Sequence, residues 1–279
     1  MKKRKLTLFD YILTIFFILV CIVMLIPLWK VLIDSLDLRT AYGMKLWPEK
    51  FGLDGYKSVF TNPTLYQPLI VSVITTIAGT FIGLLLSTLG AYVLIQKELP
   101  GRTFLSGMLL FTMIFNGGLI PTYLVMNNLG ITDTLWVVVM LPALNVFNLV
   151  LMRNFFEGIP ESLFEAAAID GCTPMATFFR IVLPLSKAAL ASIGLMFAVA
   201  YWNDYTTYKI YIVNSDLFNF QMKLRSIILG SDLPSATGSD TEYPVRNAAT
   251  MVAIIPFMII YPFAQKYFVT GINLGAVKE

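Results

Sequence analysis

Long apolar stretches without any charged residue constrain this chain more than any other feature of its sequence. A bilayer-spanning helix needs about 17–25 mostly apolar residues. Six uncharged stretches meet or approach that length: Tyr11–Trp29, Ser58–Gln96, Thr103–Thr132, Thr134–Met152, Ala188–Asn203 and Asn247–Gln265. Only 13% of the 279 residues are charged, whereas about a quarter are charged in a typical soluble domain. The sequence therefore predicts an all-α integral membrane protein with six transmembrane helices.

Two of the six stretches need a further argument. Tyr11–Trp29 follows a basic segment, as the core of a signal peptide does, but it is long enough to cross a bilayer and no small-residue cleavage site follows it. We predict a retained first helix. Ala188–Asn203 is short, and it reaches spanning length if the helix includes Leu185 and Ser186, with Pro184 in its first turn, where proline is tolerated.

Basic residues predict the orientation of these spans. Short loops rich in Lys and Arg stay in the cytoplasm. The basic residues of the N-terminus and of the loops after the second and fourth stretches are Lys2, Lys3, Arg4, Lys5, Lys97, Arg102, Arg153, Arg180 and Lys187. We therefore expect both termini and residues 160–187 to be cytoplasmic, and residues 34–68 and 204–246 to form extracytoplasmic loops.

The predicted cytoplasmic segment 160–187 has the signals of two short helices. Ser162 and Glu165 fit a capping box that would start the first helix. Gly171 suits the left-handed position that ends a helix. Thr173 and Pro174 suit the cap and the first turn of a second helix. This pattern predicts two helices that meet at an angle outside the membrane.

Several kinds of chemistry have no residues to perform them. The chain has no histidine and only two cysteines, Cys21 and Cys172, so we predict no metal site and no disulfide. No phosphate-binding P-loop string occurs, which excludes ATP hydrolysis by a Walker motif in this chain. The interiors of the spans lack ionisable residues, which a proton- or sodium-coupled carrier needs near the midplane. The basic residues form no nucleic-acid-binding stripe.

One string carries a resemblance to a known family. Glu165-Ala166-Ala167 is followed after three residues by Gly171, and after nine more by the sequence Ile-x-Leu-Pro at 181–184. This spacing resembles the EAA loop of binding-protein-dependent ABC importer permeases. The strings "MRNFFEGIPESLFEAAAIDG", "GGLIPTYLVMNNLGITDTLW" and "YPFAQKYFVTGINLGAVKE" are similar to the carbohydrate-uptake type 1 branch. Within it they look most like permeases for complex or polysaccharide-derived oligosaccharides.

The resemblance implies a fold, a function and a set of partners. The fold would be that of a type I ABC importer permease (MetI-like), with residues 1–279 forming one transmembrane domain. The chain would sit as a multi-pass protein in a bacterial cell membrane and import a sugar by alternating access. Its partners would be a second permease, expected to be a different homologous chain, two ATPase subunits that bind ATP-Mg, an extracytoplasmic sugar-binding protein and lipid. The chain itself would bind no cofactor and no nucleic acid.

The same resemblance implies which residues couple transport to ATP. The loop would insert into a cleft of the ATPase, and its docking, hinge and flanking motif positions would be Glu165, Ala166, Ala167, Asp170, Gly171, Ile181, Leu183 and Pro184. Two other functions stay open as alternatives: a permease of the same fold for a substrate other than sugar, and a stand-alone secondary carrier. A membrane-embedded enzyme is disfavoured because histidine and paired carboxylates at membrane depth are absent.

Polar and aromatic residues at membrane depth are candidates for a neutral sugar path. They are Asn116, Asn145, Asn148, Tyr201, Trp202 and Asn203. Each has a structural alternative, because asparagines also join helices and aromatic residues also anchor span ends at the membrane interface. Gly117 and Gly118, with Pro121, indicate either a broken helix beside a cavity or a tight helix crossing.

Overall fold

The computed structural model describes residues 7–38, 43, 45–229 and 242–276, with the side chains of the last helix described over 243–262 and at 265. The described part of the chain is mostly helical and has no β-strand beyond one isolated bridge. It forms two compact units, one of Met1–Tyr66 with Lys223–Ile255 and the other of Gln67–Met222 with Pro256–Glu279.

Three long helices and two bent helix pairs correspond to the first four apolar stretches and to the last one. The long helices are α1 (Leu8–Ser35), α3 (Pro63–Ile95) and α14 (Glu242–Ala276). A short helix α2 (Asp54–Thr61) lies between α1 and α3. The bent pairs are α4 (Arg102–Ile114) with α5 (Leu119–Asn128) and α6 (Leu135–Ala143) with α7 (Val146–Glu157).

The remaining helices form the predicted fifth span or precede and follow it along the chain. They are α8 (Glu161–Ile169), α9 (Pro174–Thr177), a π-helix (Phe178–Val182), α10 (Leu183–Leu185), α11 (Lys187–Trp202), α12 (Thr206–Tyr211), a 3₁₀ turn (Ser215–Leu217) and α13 (Phe220–Ile228). The segment 174–185 and α11 form a third bent pair, with an angle of 81° between them. Within the described residues, three helices are long and apolar enough to cross a membrane, and counting each bent pair as one span gives up to six.

In the first unit, helix α1 continues past the charged residues that were predicted to mark its boundary. The Lys30 ammonium lies 2.9 Å from the carboxylate of Asp34, which is 3% exposed. Tyr243, in α14, donates its hydroxyl hydrogen bond to the same carboxylate over 2.9 Å. Because this pairing lowers the cost of burying Asp34, the helix continues to Ser35, six residues beyond the predicted boundary at Trp29.

The second unit is built around a close approach of α3 and α11. A Cβ atom placed on Gly79 would lie 2.3 Å from the Tyr201 ring, and one on Gly83 would lie 2.7 Å from the Phe197 ring. The complementary contact puts Leu84 against Gly194, at 3.2 Å from its ideal Cβ position. Small residues on each helix therefore admit large side chains of the other, as expected where backbones pack closely in membranes.

The break between α4 and α5 bears on the two alternatives for Gly117 and Gly118. The two helices are bent by 116°, and Gly118 has a left-handed φ of 92°. No described atom lies within 4 Å of a Cβ placed on Gly117, and only Pro121 reaches that distance from Gly118. The glycines therefore lie at a break between two helices, and no described helix of this chain crosses them closely.

Asp133 fastens two loops of the second unit. It has a left-handed φ of 56°, and its carboxylate accepts the backbone N–H groups of Val213 (2.8 Å) and Asn214 (2.9 Å). These two hydrogen bonds, that from Asn214 being the stronger influence, hold the pKa of Asp133 below its ordinary value. The turn before α6 is thus tied to the segment after α12.

The lowered pKa of Asp133 makes a pH-dependent prediction. A depressed pKa in the folded state stabilises the fold above the ordinary value of about 4, and this contribution is lost as pH falls through the folded-state pKa. Asp133→Asn, which keeps the tolerance for left-handed backbone, should lower the melting temperature at pH 7. The difference from wild type should begin to shrink as the pH falls below about 4, and it should vanish as the pH falls through the lower folded-state pKa. A difference that is unchanged between pH 7 and pH 3 in detergent would contradict a role for the charge.

Candidate ATPase-coupling site

The segment 160–187, called the coupling loop below, begins with a helix that is capped differently from the prediction. Helix α8 begins at Glu161, and Pro160 occupies the N-cap position without a side-chain hydrogen bond. The predicted capping box of Ser162 and Glu165 is therefore wrong, because both residues lie inside the helix. Proline at this position fixes the entry of the chain through its restricted φ, without the hydroxyl acceptor that a capping box needs.

The turn after α8 matches its prediction. Gly171 has a left-handed φ of 71°, and nothing described lies within 4 Å of a Cβ placed on it. The N–H of Cys172 donates to the carbonyl of Ala167 over 2.9 Å, and that of Gly171 donates to Ala168 over 3.1 Å. These bonds satisfy carbonyl groups at the end of α8, as glycine-terminated helices commonly do. The prediction for Gly171 is confirmed.

The second half of the coupling loop starts with the predicted helix cap and then changes from an α-helix to a wider π-helix. The Thr173 hydroxyl accepts the N–H of Ala176 over 3.3 Å, and Pro174 lies in the first turn of α9, which confirms the predicted cap. The chain continues into the π-helix Phe178–Val182, in which Phe178 and Val182 are buried. A π-helix is a rare local widening that often accompanies function.

The position predicted for Pro184 is wrong. It lies in the three-residue helix α10, and Ser186 separates that helix from α11, which begins at Lys187. The chain turns by 81° between the segment 174–185 and α11, so residues 184–186 do not extend α11 as one continuous helix. The two pieces together still form one of the candidate spans.

The exposed face of the coupling loop combines small and apolar residues. Glu165, Ala166, Asp170, Gly171 and Pro184 are exposed, Ala167 is buried, and Ile181 and Leu183 are half-buried. Apolar side chains also point outward: Ile169 is 86% exposed, Phe179 58% and Met175 56%. Sequence reasoning missed these three, although their place beside the motif was visible. Exposed apolar side chains beside small residues can form a surface that binds another protein.

Ion pairs surround the start of the coupling loop. Lys97 in the turn after α3 contacts Glu161 in α8 at 2.6 Å. Glu157 at the end of α7 accepts from Arg153 at 2.9 Å and lies 3.5 Å from Arg102. Exposed pairs contribute little individually, but these link the α3–α4 turn to the α7–α8 turn. Lys97, Arg102 and Arg153, at or near these two turns, are among the basic residues on which the predicted cytoplasmic orientation depends.

The structure does not gather the predicted sugar-path residues into one site. The side-chain oxygen of Asn116 accepts the N–H of Gly118 over 2.9 Å in the break between α4 and α5. Asn145 caps α7 by accepting the N–H of Asn148 over 3.0 Å, and Asn148 is buried. These asparagines lie at or beside the bends of the two helix pairs.

The aromatic candidates are packed inside the second unit. Tyr201 is 3% exposed and donates to the carbonyl of Val139 over 2.7 Å. Trp202 is also buried, with its ring 6.0 Å from that of Phe257. Asn203 is exposed and donates to the carbonyl of Val199 over 3.0 Å. The contacts of Tyr201 and Trp202 are those of packing residues, and a role of these three in the sugar path stays a prediction.

Comparisons with known proteins agree with this architecture. Residues 99–273 match the family model described as binding-protein-dependent transport system inner membrane component. The chain is 40% identical to the polygalacturonan/rhamnogalacturonan transport system permease protein YtcP of Bacillus subtilis, over all of both chains. It is also 40% identical to protein LplC of the same organism, covering 84% of this chain and 81% of LplC.

A solved structure extends the similarity to three dimensions. A chain of the bacterial ABC transporter involved in the import of the acidic polysaccharide alginate superposes with a TM-score of 0.86 at 28% identity. The match covers 95% of this chain and all of that one. The chain belongs to the family of inner membrane components of binding-protein-dependent transport systems. It has the MetI-like permease fold and is a multi-pass protein of the cell membrane.

Proposed function

We propose that this chain is the permease subunit of an ATP-driven importer for an oligosaccharide derived from a complex polysaccharide. The names of YtcP and of the alginate transporter support this substrate class. Import would proceed by alternating access of the substrate path. The complete importer would contain a second, homologous permease, two ATPase subunits that hold ATP-Mg, and an extracytoplasmic sugar-binding protein.

The observation that carries the proposal is the exposed surface of the coupling loop. Helix α8 presents Ala166 and Ile169 on its exposed surface, and a left-handed turn at Gly171 separates it from α9. Small residues permit close approach of a partner, and burying the exposed apolar side chains in the contact would stabilise the complex. A cleft on a cytoplasmic ATPase would bind this surface, and ATP-driven movement of the cleft would displace the loop.

Ile169→Asp tests this docking surface directly. Burying an isoleucine side chain contributes about 1.5–3 kcal/mol, and a buried unpaired carboxylate would cost more. We expect the ATPase activity that co-purifies with the tagged chain from native membranes in mild detergent to fall at least about tenfold. Leu46→Asp is the matched control, since Leu46 is 74% exposed and lies in the predicted extracytoplasmic loop.

The outcomes separate the importer from the alternatives. An ATPase that co-purifies with wild type and with Leu46→Asp, but not with Ile169→Asp, supports the coupling role. Cys172 gives a second measurement, because it lies in the loop and a docked ATPase should protect it from a water-soluble maleimide. A wild-type chain that elutes without any ATPase and transports without ATP would instead support the stand-alone carrier.

A further inference from the structure

A single side chain of span α3 is bonded to the middle of the coupling loop. The hydroxyl of Tyr92 donates a hydrogen bond to the backbone carbonyl of Pro174 over 2.8 Å. Tyr92 is 7% exposed, and the two residues are 82 positions apart in sequence. Pro174 is the first residue of α9, immediately after the turn at Gly171 and Thr173. The bond therefore joins a span to the second helix of the loop.

The ring of Tyr92 holds the same part of the loop. Its centroid lies 5.0 Å from that of Phe178, which is 1% exposed and begins the π-helix. The N–H of Phe178 in turn donates to the carbonyl of Pro174. Tyr92 thus contacts both ends of one helical turn, by its hydroxyl at Pro174 and by its ring at Phe178.

A buried apolar cluster extends from this contact and includes residues of two further helices, α7 and α11. Its buried members are Ala91, Tyr92, Met152, Phe156, Phe178, Val182, Ala189, Ile193, Phe197 and Tyr201. They belong to α3, α7, the π-helix and α11. A Cβ on Gly90 would lie 2.8 Å from Leu149, which shows how closely α3 and α7 pack. A close-packed cluster cannot absorb a displacement by compression, so movement at Phe178 must be passed on.

The two halves of the coupling loop are attached to the spans differently. In α8, Ala167 is the buried residue, and the others are exposed or half-buried. In the second half, Thr177, Phe178 and Val182 are all buried. Gly171, at which an added Cβ would meet no described atom within 4 Å, lies between the halves. The first half is therefore built to contact a partner, and the second half to move with the spans.

We propose that Tyr92 is a positioning residue that fastens the second half of the coupling loop to α3, so that displacement of the loop by the ATPase reaches this span. The proposal rests on the proposed function of the chain. Phenylalanine would supply the same ring at this position. The hydroxyl adds the bond to Pro174, and a buried hydroxyl without a partner would be costly, so this bond is a feature that phenylalanine would not supply.

Tyr92→Phe isolates this bond. The experiment uses the assembled importer purified with its ATPase, and measures hydrogen exchange with and without a non-hydrolysable ATP analogue. In wild type, the analogue should change exchange both in the loop and in the cytoplasmic end of α3, residues 84–95. In Tyr92→Phe the change in the loop should persist, while that in α3 should weaken about three- to tenfold, since one hydrogen bond is lost.

The control and the kinetics distinguish coupling from general stability. Tyr66→Phe alters the other end of α3, where the hydroxyl has no hydrogen-bond partner among the described residues, and should behave as wild type. The KM for ATP should be unchanged in both variants. A Tyr92→Phe complex that responds like wild type in α3, or that fails to assemble, would overturn this inference alone. A wild-type chain that never binds an ATPase would overturn the proposed function with it.

Discussion

Gly171→Val should abolish most of the ATPase binding of this chain while leaving its insertion into the membrane intact. The left-handed φ of 71° at Gly171 costs an ordinary residue about 1–2 kcal/mol, and a β-branched residue more. To escape this strain, the turn must open and change the angle between α8 and α9. We expect at least about a tenfold loss of co-purifying ATPase activity, with unchanged yield of the chain in the membrane fraction.

Two further substitutions show whether a loss of ATPase binding comes from the changed coupling loop or from backbone strain in general. Gly171→Asn should keep most of the binding, because asparagine tolerates the left-handed region. Gly101→Val introduces equal strain elsewhere, since Gly101 has φ 76° and no atom within 4 Å of its Cβ position. It should lower stability without removing the ATPase. If Gly101→Val removed the ATPase as completely as Gly171→Val, the loss could not be assigned to docking.

The parts of the fold that the sequence predicted follow from local physics. The length of the uncharged apolar stretches predicted where the long helices and bent pairs lie, because the bilayer core imposes a minimum length on any crossing helix. Gly171 and Thr173 were predicted because their conformations are intrinsic to single residues. The capping-box prediction failed because the helix begins at Glu161, with Pro160 as its N-cap, one residue before Ser162. Pro160 and Ser162 are competing signals for the start of the helix, and the motif alone does not decide between them.

The parts that were missed depend on contacts between distant residues. Nothing near Tyr92 in the sequence indicates Pro174, and a tyrosine at the end of an apolar stretch is equally typical of a membrane-interface anchor. The bend at residues 144–145 was also missed, because no charged residue marks it. There α6 ends at Ala143, and Asn145 caps the following helix α7 through its side chain. Only Gly117 and Gly118 carried a local signal for a bend.

Gly79→Ala is predicted to be among the most destabilising single-methyl additions in the second unit. The new Cβ would lie 2.3 Å from the ring of Tyr201, far inside contact distance. This ring cannot move freely, because its hydroxyl donates to Val139 over 2.7 Å and its other neighbour is the ring of Phe197. Overpacking costs about 1–3 kcal/mol, and loss of the hydrogen bond adds about 1 kcal/mol.

The measurement compares two alanine substitutions in helices of the same unit. Gly107 lies in α4 with no described atom within 4 Å of its Cβ position, so Gly107→Ala should be neutral or slightly stabilising. Gly79→Ala should shorten the half-life of the purified chain at a fixed temperature in detergent, the appropriate readout where unfolding is irreversible. Equal half-lives for the two variants would contradict the close packing of α3 on α11.

A double substitution shows whether Tyr201 itself is the obstacle. Tyr201→Leu removes the ring and leaves space beside Gly79, at the cost of a cavity and of the bond to Val139. If the ring is what meets the new methyl group, Gly79→Ala should cost much less in the Tyr201→Leu background than in wild type, because the two residues are in contact. Additive effects would place the strain elsewhere on α3. A strong coupling would instead show that the ring of Tyr201 packs directly against α3 at Gly79 and that this contact fixes the distance between α3 and α11.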